Sequence, residues 1–355
     1  METDVLFFYS CLSLFLSINL VNAQTNQGVY FEDEDWHIVC DNTLTCRAVG
    51  FDHQEPTREL DSRISILLVR KAGANQSLSG YVRIKDDEIE QLSDTPITVA
   101  VNNQVLGTVK TDDEPYELRP KQISSIISAL KSNDKTVSFQ QNNNTWRISN
   151  AGFNAVMLKM DEVQGRIGTI GAIIKTGNKD ESHVYPSIPA PIIKKAAVIS
   201  PKHSQKLTLD EVIRRFPDFE THYKNEADCF LDLSQSAEET YKPTFQLFAL
   251  NKDNDLLAAS CLLGVYNSGE AYWVIPKGTS ANKNEIKFVT RWGTDYSDGK
   301  ISEIQKTRGI GDCWSRIYWT WNGQQFLRSS DITTGPCRGF DDGTWELPYF
   351  VSEIE

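Results

Sequence analysis

Seven cysteines stand in this 355-residue chain, and six lie behind an apolar leader. The six are Cys40, Cys46, Cys229, Cys261, Cys313 and Cys337. An even number in an exported chain points to disulfides, and six cysteines allow 15 pairings. Two of them sit near the start and four in the C-terminal half. Halves that fold separately would pair locally, as Cys40–Cys46, Cys229–Cys261 and Cys313–Cys337. A metal site would need C-x-x-C or Cys/His spacing, and none is present. Structural disulfides are therefore expected, with no metal and no cofactor.

The leader carries the export argument. Val5 to Val21 is an apolar run that ends in Val21-Asn22-Ala23, a small-residue cleavage pattern before Gln24. Cleavage is expected between Ala23 and Gln24. Glu2 and Asp4, with no Lys or Arg, make an unusual n-region, and an uncleaved anchor is the competing reading. Cys11 sits too early, and in the wrong context, for a lipoprotein signal. No later segment could span a bilayer, which needs about 20 apolar residues. Without residues 1–23 the chain keeps all 36 basic residues and loses two of its 48 acids, a net charge near −10. That balance argues against a nucleic-acid partner and disfavours anionic lipid.

The length suits two domains. Residues 24–175 read as an N-terminal, sandwich-like α+β domain. Residues 176–206, with Pro186, Pro189, Pro191 and Pro201, read as a linker. Residues 207–355 read as an antiparallel β-domain. The fold class is α+β with strands dominant. Cys40 to Cys46 spans a hairpin, and Tyr81, Arg83 and Lys85 alternate with Val82 and Ile84. Ile123, Ile126, Ile127 and Leu130 give a helix face, as do Phe153, Val156, Met160 and Val163. Thr208-Leu209-Asp210-Glu211 resembles a capping box for a helix that Pro217 stops. In the last third, Ser268-Gly269, Asp298-Gly299 and Asn322-Gly323 mark turns, the latter two of type I′.

Chemical motifs are scarce. Asn251, Asp253 and Asp255 start like a calcium loop, but Leu256 and Leu262 hold the places of its Gly and Glu. Ser128-Ala129-Leu130-Lys131 and Lys175-Thr176-Gly177 match two elements of penicillin-recognising enzymes without the third. No nucleophile elbow, P-loop or zinc-protease motif occurs. The five histidines share no ligand spacing. The most informative stretch is Arg308-Gly309-Ile310-Gly311-Asp312-Cys313-Trp314, followed by Tyr318-Trp319-Thr320-Trp321. One reading is an aromatic binding platform of Trp314, Trp319 and Trp321 flanked by Arg308 and Asp312. The other is core packing of large aromatics under a disulfide.

Those residues also carry a resemblance. The run Arg308 to Trp321, with Cys337-Arg338-Gly339, resembles the bacterial family called domain of unknown function 1176. Cys261 to Asn267, Met160 to Arg166, Trp36 to Cys46 and Leu78 to Val82 fit it as well. Trp314 departs from the smaller residue expected there. The N-terminal half is also similar, more loosely, to invasion-associated locus B proteins. The resemblance implies a periplasmic or secreted envelope protein of a Gram-negative bacterium, and supplies no activity. Arg338, beside Cys337, joins the candidate binding residues. The expectation is a non-catalytic binding or structural role, with an envelope protein or cell-wall component as partner. A carboxylate-dependent hydrolase would show a cleft with facing carboxylates. A secreted enzyme inhibitor would show a protruding loop tied by a disulfide.

Overall fold

The computed structural model describes residues 28–53, 62–86, 95–110, 114–200, 202–234, 242–278 and 286–355. The leader and the Ala23–Gln24 junction lie outside the described residues. Strands dominate, and the sheets formed by consecutive strands are antiparallel. Strands β1 (Val29–Asp33), β2 (Trp36–Cys40), β3 (Cys46–Phe51), β4 (Ser62–Arg70) and β5 (Leu78–Asp86) form a meander. Next in the chain are β6 (Ile97–Val101) and β7 (Gln104–Val109), and β8 (Tyr116–Leu118) then returns to pair with β5. A second sheet runs in the order β10-β9-β6-β7, with β9 at Val137–Gln141 and β10 at Asn144–Ile148. Helices α1 (Pro120–Leu130) and α2 (Phe153–Val163) present the apolar faces read from periodicity. Ile123, Ile126, Phe153 and Met160 pack with Ile38, Ile66 and Val99 in one core.

A single antiparallel sheet commonly wets one face. Here the first sheet buries both, and every residue of β2 is buried. Val39, Val49, Phe51 and Leu67 on its outer face are covered by Phe340, Trp345 and Leu347, some 300 positions later.

The C-terminal sheets stack on each other. The first contains β12 (Gln205–Leu207), β13 (Phe245–Ala249), β14 (Asn254–Leu263), β15 (Ser268–Pro276) and β16 (Lys287–Gly293). The second contains β17 (Asp295–Ser297), β18 (Lys300–Lys306), β19 (Trp314–Trp321), β20 (Phe326–Thr333) and β21 (Leu347–Val351). Leu256, Tyr272 and Val274 of one pack on Ile301, Trp321 and Phe326 of the other. The opposite face of the first holds α3 (Leu209–Arg215) and α4 (Phe219–Thr221). Thr208 and Glu211 do form the capping box at α3. Pro217 interrupts the helix, but helical turns resume at once and bury Phe219 and Tyr223.

Disulfides join Cys40 to Cys46, Cys229 to Cys261 and Cys313 to Cys337. Asp298 and Gly299 adopt positive φ of 48° and 71°, as a type I′ turn demands. Two turn expectations need correction. At Asn322-Gly323 only Gly323 has positive φ, because the Asn322 side chain accepts from the N–H groups of Gln324 and Gln325 and builds an Asx turn instead. Ser268-Gly269 already belongs to β15, and the turn falls at residues 264–267. Described parts of residues 176–206 bond to the strands on either side of them. Ala196 N–H donates to Trp321 O, Ile199 N–H donates to Leu250 O, and β11 (Ile192–Ile193) pairs in parallel with β22 (Glu353–Ile354).

Candidate functional site

The segment singled out in the sequence connects β18 to β19. Gly311 N–H closes a turn onto Arg308 O at 3.1 Å, and the indole N–H of Trp314 donates to Gly311 O at 2.7 Å. Gly311 needs its positive φ of 75°, a conformation costly for other residues. Arg308 grips Asp312 through two parallel bonds, with Nε to Oδ1 at 2.7 Å. Asp312 is buried and accepts a third bond from Gly339 N–H at 2.7 Å. Burial works against the Asp312 charge, but the Arg308 guanidinium and Gly339 N–H outweigh it and hold the carboxyl below its usual range. Asp312 is therefore a clasp across the Cys313–Cys337 disulfide, already saturated. Its carboxylate and the two sulfurs lie within 4.8 Å of one another, but disulfide sulfurs are not thiolate ligands.

The turn between β14 and β15 leans on this corner. The Asn267 amide bonds both backbone groups of Lys306, at 2.7 and 3.0 Å. Tyr266 lies so close to Gly309 that a Cβ there would come within 3.0 Å of its ring. The two turns together expose Val265 at 93%, Ile310 at 66% and Tyr266 at 56%, with the half-exposed Arg308 beside them.

The tryptophans do not form a platform. Trp321 is fully buried against Phe326, and Trp319 packs on the same core. Strand alternation puts both on the face that the neighbouring sheet covers. Trp314 is half-buried, with Lys306 5.2 Å and Arg316 5.8 Å from its ring. Arg338 turns away from the corner. It reaches Asp35 at 3.3 Å and lies 5.0 Å from the Phe51 ring. Asp35 in turn meets the exposed His53 at 3.0 Å.

Arg338 thus belongs to a second polar region, where residues 334–345 cover the first sheet. Arg83 donates to Thr344 O, Lys85 to Gly339 O, and the Trp345 indole to Ser65. Among the described residues His37 has no hydrogen-bond partner on either ring nitrogen, and neither Arg63 Nη2 nor the Thr344 hydroxyl has one. Burial, with Arg338 nearby, lowers the His37 pKa to about 3.

A third region was missed as a unit by sequence reasoning, although its motif, Met160 to Arg166, was visible. Asp161 accepts from the N–H groups of Ile173 and Ile174. Gln164 donates to Leu44 O and Arg70 O, and Arg166 bonds Gln164, Gly73 O and Glu181. Glu181 also accepts from Thr169 and from Asn75 N–H. Burial opposes its charge, yet the Asn75 N–H and Arg166 win and lower its pKa. Elsewhere burial raises Glu303 and Asp331, but Thr290 donates to the first at 2.7 Å and Arg328 pairs with the second at 3.0 Å.

A family model described as protein of unknown function (DUF1176) matches residues 30–352. The chain is 25% identical to an uncharacterised protein, YpfG, of Escherichia coli (strain K12) over 345 residues, covering 91% of this chain and 90% of that protein. No solved structure matches the chain.

Proposed function

The chain belongs to the family described as protein of unknown function (DUF1176), and from that premise we propose a non-catalytic binding protein of the Gram-negative envelope. Its recognition element is the disulfide-braced double turn around Ile310. One observation carries this reading: Val265, Tyr266 and Ile310 are exposed on turns that a disulfide, a bidentate ion pair and a backbone-gripping asparagine hold rigid. Rigid apolar groups lose little entropy on binding, so they make efficient contacts. The partner is an envelope protein or wall component with a matching apolar surface. Export to the periplasm belongs to this proposal and is supported by the leader and by the disulfides. No described helix is long and apolar enough to cross a membrane. The two-domain division and the looser likeness to invasion-associated locus B proteins belong to the proposal too.

The test replaces exposed residues only, since Asp312→Ala would break the clasp and confound folding with binding. The double variant Tyr266→Ser, Ile310→Asp is expected to melt like the wild type and to lose at least tenfold in retention on a washed envelope fraction. Unchanged retention by the folded variant removes the double turn from the site.

A further inference from the structure

The loop that begins at Arg166 makes two turns in tandem. Thr169 N–H closes the first onto Arg166 O at 2.9 Å, with Ile167 at its apex and Gly168 behind it at a positive φ of 83°, the pattern of a type II turn. Ala172 N–H closes the second onto Thr169 O at 3.4 Å, with Ile170 at its apex. Between the two apices the buried Thr169 donates its hydroxyl to Glu181, which Arg166 also holds. The apical side chains stay outside: Ile167 is exposed at 42% and Ile170 at 66%.

Two lysines are fixed beside them. Gly168 N–H donates to Lys175 O at 2.8 Å, and Lys179 N–H donates to Gly168 O at 3.1 Å, so both are bonded through the backbone to a glycine that lies between the isoleucines. Both lysines are exposed, and the Lys179 stem crosses Gly168, with Cδ and Cε 3.9 Å from where a Cβ there would stand. Tyr185, exposed at 53%, lies over Gly165, its ring 3.1 Å from such a Cβ. Residues 165–179 hold three basic side chains and no acidic one, in a chain whose net charge is −12. The acids that flank this stretch are engaged elsewhere. Asp161 and Glu181 are buried in their own network, Asp180 accepts from Ser182 N–H at 2.9 Å, and Glu162 pairs with Lys159 at 3.1 Å.

We propose that this tandem turn docks the protein on an anionic phospholipid bilayer, its isoleucines entering the interface and its lysines meeting lipid phosphates. Apolar apices beside lysines and a tyrosine suit the boundary between acyl chains and head groups, because a lysine stem lies along apolar surface while its ammonium stays in water. A protein partner fits less well. A stable protein interface engages about 20–30 residues a side, whereas the tandem turn presents a few projecting side chains and a bilayer demands no matching shape. The overall acidity does not forbid docking, since charges beyond about 8 Å are largely screened at physiological salt and the local lysines decide. This surface is distinct from the Ile310 double turn, and the two proposals fail independently.

Cosedimentation of the full-length exported protein with vesicles supplies the test. The probes are vesicles of phosphatidylcholine and phosphatidylglycerol in equal parts, and vesicles of phosphatidylcholine alone. Wild type is expected to bind the anionic vesicles and not the neutral ones. Lys175→Gln with Lys179→Gln should weaken binding about 25-fold, since each lysine contributes about fivefold at an anionic surface. Ile167→Ser with Ile170→Ser should weaken it about tenfold or more. Both variants should melt like the wild type, and the lysine pair keeps the test decisive if the isoleucine variant fails to fold. The variant Tyr266→Ser, Ile310→Asp should bind vesicles as the wild type does. No binding by wild type, equal binding to the neutral vesicles, or full binding by either folded variant overturns the proposal. So does a wild-type dimer that the isoleucine variant dissolves, because the tandem turn would then seat a second copy.

Discussion

Two buried polar clusters tie the first sheet to distant parts of the chain, and they differ in how completely their groups are bonded. In the cluster of Asp161, Gln164, Arg166 and Glu181, each charged group meets a counter-charge or a backbone N–H. None of its side-chain atoms is left buried without a partner. Under residues 334–345, His37, Arg63 and Thr344 each bury at least one atom that has no partner among the described residues. A satisfied network rigidifies, whereas an unsatisfied group keeps its desolvation penalty. The first cluster therefore acts as a lock. The second is a contact that other forces, chiefly Phe340, Trp345 and Leu347 on Phe51 and Leu67, hold shut.

The largest effect should come from breaking the lock. Arg166→Met strands the Glu181 carboxylate without its cation and is expected to cost about 3–5 kcal/mol in urea denaturation. A loss below about 1 kcal/mol would mean that the two clusters are alike.

The next effect is acid lability of the second cluster. The folded His37 pKa, about 3, lies below the ordinary value, so the folded state binds fewer protons in the window between them. Stability must then fall as pH drops below about 6.5, by roughly 1.4 kcal/mol per unit, or about 2–3 kcal/mol at pH 4.5. His37→Leu should flatten that part of the profile. Parallel wild-type and variant profiles would clear His37 of the role.

The smallest effect is the sharpest comparison, one substitution with opposite signs. Thr169→Val removes a hydroxyl that donates to Glu181 at 3.1 Å and should cost about 1.5–3 kcal/mol. Thr344→Val removes a buried hydroxyl with no partner among the described residues and should be neutral or stabilising by up to about 1 kcal/mol. Thermal melts of the two variants decide it, and equal losses would erase the distinction.

Local features were legible because their causes are local. The apolar stripes of α1 and α2, the capping box at Thr208 and the Asp298-Gly299 turn depend on residues a few positions apart. The three disulfides followed from an even cysteine count behind an apolar leader. The corner at Arg308 was visible as well, since Gly-x-Gly beside a cysteine signals a tight turn. The roles of its neighbours were not. Alternation along Tyr318 to Trp321 shows that a strand has two faces, but not which face another sheet will cover, and the stacking of Leu256 and Tyr272 decided that Trp321 is core. The same holds for Arg338, whose partner Asp35 lies 303 positions away. Propensity and spacing act over a few residues of chain, whereas burial and charge pairing act through space. The sequence by itself therefore determined the main elements and some of their turns, and only the tertiary structure decided which polar groups are satisfied and which are stranded.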